Sequence, residues 1–69
     1  MDISPEVAHR ASIRFLEEAL EFLTKHEKNV YSLVILKPID FDYEKWKEAM
    51  RARINVEKSI ELLKSIEVA

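Results

Sequence analysis

The chain has 69 residues without cysteine or glycine, and 11 basic against 13 acidic side chains give it a formal net charge of −2. The lack of cysteine excludes disulfides, thiolate metal sites and a cysteine nucleophile, and the lack of glycine excludes a glycine-rich phosphate-binding loop. A chain this short forms one domain at most, and its core rarely supplies more than ~3–5 kcal/mol. We therefore expect residues 1–69 to form a single domain that gains stability by association.

The sequence also bears on location. No stretch approaches the ~18 apolar residues that a transmembrane helix needs, and the first six residues, MDISPE, have neither the basic nor the apolar region of a signal peptide. We expect a cytoplasmic protein that makes no contact with membranes. Abundant Glu, Lys and Arg without Gln or Cys is also typical of proteins from heat-adapted organisms.

The first predicted helix begins at Pro5, with Ser4 as its N-cap. From there, residues recur at alternating spacings of four and three. We call this row the phenylalanine seam, and it consists of Ala8, Ser12, Phe15, Ala19, Phe22 and His26. Four further apolar residues flank it, namely Ala11, Leu16, Leu20 and Leu23. Together these positions cover an arc of about 200°, against the ~100° stripe of an ordinary surface helix, so one neighbouring helix cannot cover them.

The segment 30–36 fits two secondary structures. Its run VYSLVIL is rich in β-branched residues, which is typical of a buried strand, and Asn29 would end the helix before it. Val30 and Leu33 nevertheless continue the helical spacing, and a lone strand would leave its backbone groups unpaired. We expect helix to about Leu36; the alternative is a strand that pairs with its counterpart across a dimer axis.

A second helix is predicted from Tyr43 to about Ile66. Pro38 disfavours helical geometry in Lys37, and Asp42 is a good N-cap for the new helix. One side of this helix is a row at three and four spacing: Trp46, Ala49, Arg53, Val56, Ile60 and Leu63.

The short connection makes the two helices antiparallel neighbours. A single hairpin is one layer, whereas a stable domain needs at least two. The predicted fold is therefore all-α, an antiparallel hairpin of two long amphipathic helices that assembles as a dimeric four-helix bundle.

Both helices contribute to the predicted oligomer interface. Its members are the residues Phe15, Ala19, Phe22, Leu23, Trp46, Arg53, Val56, Ile60 and Leu63. Arg53 is the one charge among them, and such a charge must find a partner or extend into water. Glu18, at the edge of the first-helix face, is a candidate partner. The alternative is that Arg53 buries only its aliphatic stem and keeps its guanidinium in water.

Two histidines are candidates for site chemistry. Glu6 and His9 have the ExxH spacing of carboxylate-bridged di-metal bundles, but both lie toward the rim of the apolar face. His26 belongs to the phenylalanine seam, and no nucleophile stands at a recognisable spacing from it. We therefore expect no metal, no cofactor and no catalytic residue.

A basic stripe, formed by Lys47, Arg51 and Lys58, lies on the outward side of the second helix. A row of cations can follow a phosphate backbone, but acidic residues border this row and no aromatic residues are interleaved with it. The sequence favours a non-enzymatic helical interaction module. This is either a self-associating dimer or higher oligomer, or a small subunit or regulator that docks on a larger protein. The alternative is nucleic-acid binding through the basic stripe.

Overall fold

The computed structural model describes residues 3–67. Its elements are helix α1, Pro5–Leu36, a single 3-10 turn, Pro38–Asp40, and helix α2, Tyr43–Ser65. The two helices pack side by side and antiparallel. The prediction of an all-α helical hairpin is confirmed, and the helix bounds agree with it to within a residue.

The segment 30–36 is helical, so the alternative of a strand there is wrong. Val30 is only 6% exposed, and the helical phase is what turns it toward α2. The helix also pairs the backbone groups that a lone strand would leave without partners. Within residues 3–67 the chain contains no strand.

Side-chain caps begin both helices as predicted. The Ser4 hydroxyl accepts a hydrogen bond from the Val7 backbone N–H at 3.2 Å. One carboxylate oxygen of Asp42 accepts hydrogen bonds from the backbone N–H groups of Glu44 and Lys45 at 3.0 and 3.2 Å. These caps satisfy donors that the first turn of a helix leaves unpaired, and so they set where each helix starts.

The contact between α1 and α2 is narrow. Among the described residues, only Val30, Ala49 and Ile60 are buried. The α2 side of the contact is the predicted one, because each member of its row is buried or half-buried: Trp46, Ala49, Arg53, Val56, Ile60 and Leu63.

The α1 side of the contact is formed by only part of the predicted apolar arc. The residues that face α2 form a second row at three and four spacing, which we call the leucine row: His9, Ile13, Leu16, Leu20, Leu23, Glu27 and Val30. The phenylalanine seam lies about 100° round the helix from the leucine row, and its Phe15 and Phe22 are 70% and 67% exposed. In the hairpin, α2 covers the flanking leucines and leaves the phenylalanine seam outside the contact.

The hairpin is one layer thick. Its extents are 52 × 21 × 14 Å and its radius of gyration is 16.2 Å, whereas a compact domain of this length has a radius of gyration of about 11 Å. Its accessible surface is 5855 Å², against about 4,500 Å² for a monomeric protein of the same mass. The hairpin therefore leaves exposed a surface that a compact fold would bury.

Candidate functional site

The phenylalanine seam is an exposed strip along one flat side of the hairpin. Phe15 and Phe22 lie two turns apart, and the smaller, half-buried Ala19 lies between them. The rings of Phe22 and His26 are stacked, with centroids 6.0 Å apart and an interplanar angle of 6°. Two phenyl rings in water forgo the free energy that burial would provide, so this strip is suited to contact with another apolar surface.

The nine predicted interface residues fall into two groups. Phe15, Ala19 and Phe22 lie on the phenylalanine seam, outside the contact between the helices. The other six are half-buried or buried between α1 and α2 of the same chain, and they are Leu23, Trp46, Arg53, Val56, Ile60 and Leu63. Six of the nine thus pack within one hairpin, and the other three lie outside the contact between its helices.

Arg53 is paired, and its main partner is Glu27 on α1. Its Nε and Nη2 donate to the two carboxylate oxygens of Glu27, the second at 3.5 Å. Its Nη1 donates to Glu57, one turn further along α2, at 2.8 Å. The predicted partner Glu18 is wrong: that carboxylate lies on the outer side of α1, 3.9 Å from Arg14.

The environment of Arg53 favours its charged form. Its side chain is 26% exposed and that of Glu27 is 17% exposed, so water screens this pair less than it screens a surface pair. The hydrogen bonds with Glu27, and secondly with Glu57, raise the pKa of Arg53 above its ordinary value. Sequence reasoning missed Glu27, although its spacing of seven from Leu20 and four from Leu23 places it in the leucine row.

An open groove lies beside Arg53 on the flat side opposite the phenylalanine seam. Its lining includes Thr24, Glu27, Lys28, Tyr31, Trp46 and Arg53. The Tyr31 and Trp46 rings are tilted at 45°, with centroids 5.9 Å apart. Because Arg53 is already held by two carboxylates, the groove offers no uncommitted guanidinium for an anion.

The histidines have structural contacts. Nε2 of His9 donates a hydrogen bond to the Leu63 carbonyl oxygen at 2.5 Å, which ties the start of α1 to the end of α2. Glu6 is exposed. Within residues 3–67, no three His, Asp or Glu side chains come together as a metal site requires.

The basic stripe lies on the side of α2 that faces away from α1. Arg51 and Lys58 are exposed. Lys47 is half-buried, and its amine lies 5.9 Å from the centroid of the Tyr43 ring. The predicted outward position of the stripe agrees with this arrangement, but one of its three cations is partly engaged within the chain.

Comparisons with protein-family models, with curated proteins and with solved structures gave no match. Neither helix, over the described residues, is apolar enough along a sufficient length to cross a bilayer. The phenylalanine seam, with Phe15 70% and Phe22 67% exposed, is an apolar part of the chain's own surface that the hairpin leaves uncovered.

Proposed function

We propose that this chain is a non-enzymatic helical module that self-associates, and that two hairpins pack through their phenylalanine seams into a four-helix bundle. The observation that supports this most directly is the exposure of Phe15 and Phe22, 70% and 67%. A second hairpin on that side would supply the second layer that a stable helical domain needs.

The exposed area is of the size that an interface covers. The accessible surface exceeds that of a compact monomer of this mass by about 1,350 Å². A standard protein–protein interface takes ~800 Å² from each partner. Closing one such interface would remove more than half of the excess.

A second copy is a simpler partner than a different protein. A two-fold axis brings the same patch of two identical chains together, so one sequence supplies both sides of the contact. The marginal core of the hairpin adds to this argument, because only three described residues are buried and burial of the seam would add to the driving force for folding. A larger protein that receives the seam is the alternative occupant.

Sedimentation equilibrium at micromolar concentration tests the proposal. We expect the wild-type chain to have a mass of at least twice 8.1 kDa. The double variant Phe15→Glu, Phe22→Glu should sediment at 8.1 kDa, because association would bury two unpaired carboxylates per chain.

Ile35→Glu is the matched control for these substitutions. Ile35 is 78% exposed, and it lies on the same helix, roughly opposite the seam. This variant should keep the wild-type mass. A folded wild-type chain at 8.1 kDa, or a seam double variant that still associates, would contradict the proposal.

A further inference from the structure

We infer that the phenylalanine seam packs antiparallel on the same seam of a second copy, in the register that places Glu18 opposite the partner's Lys25. This inference rests on the proposed self-association. It goes beyond that proposal because it specifies which helices meet, in which direction and at which residues.

The spacing of the seam restricts the registers. Its steps alternate between four and three residues, and they continue past His26 to Asn29 and Leu33. In an antiparallel pair, the two seams stay in contact only if a step of four on one helix lies opposite a step of four on the other. The allowed registers therefore differ by seven residues, or about two turns. Three of them set both Phe15 and Phe22 against seam positions of the partner.

Charge distinguishes these three registers. Glu18 and Lys25 are exposed and flank the outer edge of the seam. One register places Glu18 opposite the partner's Glu18, and another places Lys25 opposite the partner's Lys25. The register between them places Glu18 opposite the partner's Lys25 on both sides of the two-fold axis. Opposite charges at such flanking positions set pairing and orientation between helices, so this register is favoured.

The same register is complementary in side-chain size. Phe22 lies opposite the partner's Ala19, where the small side chain leaves room for the ring. Phe15 lies opposite the partner's His26, and a ring pair of this kind already occurs within the chain. Toward the two ends of the contact, the Ser12 hydroxyl lies opposite the amide of the partner's Asn29. The small side chain of Ala8 lies opposite the larger side chain of the partner's Leu33.

The inner edge of the contact is apolar in this register. Leu16 lies beside the partner's Leu23, about 3 Å along the helix axis from the level position, and both side chains are half-buried against α2 in their own hairpins. The contact would then have leucines toward the bundle axis and opposite charges toward solvent. This is the distribution expected for neighbouring helices of a four-helix bundle.

Glu18 and Lys25 are able to change partners at little cost. Within the chain, Glu18 lies 3.9 Å from Arg14, and Lys25 lies 3.5 Å from Glu21. All four side chains are more than two-thirds exposed. Such exposed pairs contribute little to stability, so neither fixes its side chain within the hairpin.

Disulfide trapping tests the register, and the chain has no cysteine that would interfere. The double variant Ser12→Cys, Asn29→Cys is oxidised in a glutathione buffer. Its two thiols cannot bridge within one chain, because they lie more than four turns apart on α1. We expect a covalent dimer of twice 8.1 kDa.

Four single variants are the controls. Ser12→Cys and Asn29→Cys, each alone, should not cross-link, since neither position faces its own counterpart. Glu18→Cys and Lys25→Cys report on the two rejected registers and should also stay unlinked. Circular dichroism of the reduced proteins checks that each variant is as helical as the wild type.

Sedimentation of the reduced double variant separates the register from the proposed self-association. Cross-linking in the double variant, and in none of the four single variants, supports the register. An oligomer that does not cross-link in the double variant, or that cross-links in any single variant, overturns the register and leaves self-association standing. A folded wild-type monomer overturns both.

Discussion

Arg53 of α2 and Glu27 of α1 form an ion pair within a largely apolar contact between the two helices. The guanidinium also holds Glu57 at 2.8 Å, so its direction is set from both helices. Sliding one helix past the other by a turn would exchange one leucine contact for another but would separate this pair. The ion pair therefore favours this axial register over one shifted by a turn, as single polar residues do in other helix pairs.

Removing one member of this pair should destabilise the fold. Arg53→Met leaves Glu27, which is 17% exposed, without its main cation. We expect the free energy of unfolding to fall by about 1–3 kcal/mol. Urea denaturation at a fixed protein concentration measures this change.

The double variant Arg53→Met, Glu27→Met is the test of coupling. This double variant should regain much of the free energy of unfolding that Arg53→Met loses, because an apolar pair replaces a charge that has no partner. The pair of Lys64 and Glu17, whose side chains are both more than half exposed, is the control, and its neutralisation should change stability by no more than ~1 kcal/mol. If the effects of the two substitutions on the free energy of unfolding simply add, Arg53 and Glu27 are not energetically coupled.

The contribution of Arg53 to the free energy of unfolding should not change at moderately alkaline pH. Its pKa is raised in the folded state by Glu27 and then Glu57, so the stabilisation is fully present below the pKa of the unfolded chain. It is lost only as pH rises through the folded-state pKa of Arg53, and this pKa and that of the unfolded chain both lie far above neutral pH. The coupling between Arg53 and Glu27 should be equal at neutral pH and at about pH 9.5. A decline over that range would show that Arg53 does not supply the charge.

Burial should decide the effect of two identical substitutions in α2. Ile60 is 8% exposed and Ile54 is 44% exposed. Ile60→Ala should lower the free energy of unfolding by about 2–5 kcal/mol, whereas Ile54→Ala should lower it by much less. Urea denaturation of both variants at one concentration checks the difference. Equal losses would mean that the packed side of α2 is assigned incorrectly.

The effect of Phe22→Ala should depend on association. In an isolated hairpin the ring is 67% exposed, and its removal would lower the free energy of unfolding only slightly. In a dimer that packs the seam, the loss approaches the ~3–5 kcal/mol of a core phenylalanine. The wild-type melting temperature should rise with protein concentration, and that of the variant should be lower. A variant that keeps both its mass and its melting temperature would place Phe22 in solvent.

Reversing the basic stripe tests the alternative function. The substitutions Lys47→Glu, Arg51→Glu and Lys58→Glu should leave helicity nearly unchanged, because surface changes usually shift stability by no more than ~0.5 kcal/mol each. We expect the wild-type chain to bind nucleic acid no more tightly than the ~10⁻⁴–10⁻⁶ M of nonspecific contacts.

Fluorescence anisotropy with duplex and single-stranded probes at two salt concentrations provides this measurement. Submicromolar binding that weakens steeply with salt, and that the triple reversal removes, would establish nucleic-acid binding in place of the proposed function.

The sequence by itself determined the helices and their connection. Ser4 and Asp42 cap the two helices, and Pro38 ends the first. These effects act within a turn of the chain, so they follow from local chemistry without knowledge of the packing. The packed row of α2 was equally predictable, because that helix has only one row of apolar residues at helical spacing.

Only the tertiary structure decided which half of the α1 arc meets α2. The phenylalanine seam and the leucine row repeat at the same steps of three and four, so helical periodicity fits both equally. Contact with α2 selected the leucine row, and the position of Glu27 in that row then gave Arg53 its partner in place of Glu18. Helical periodicity shows which side chains lie on the same side of one helix. Which neighbour each side contacts depends on how the two helices pack.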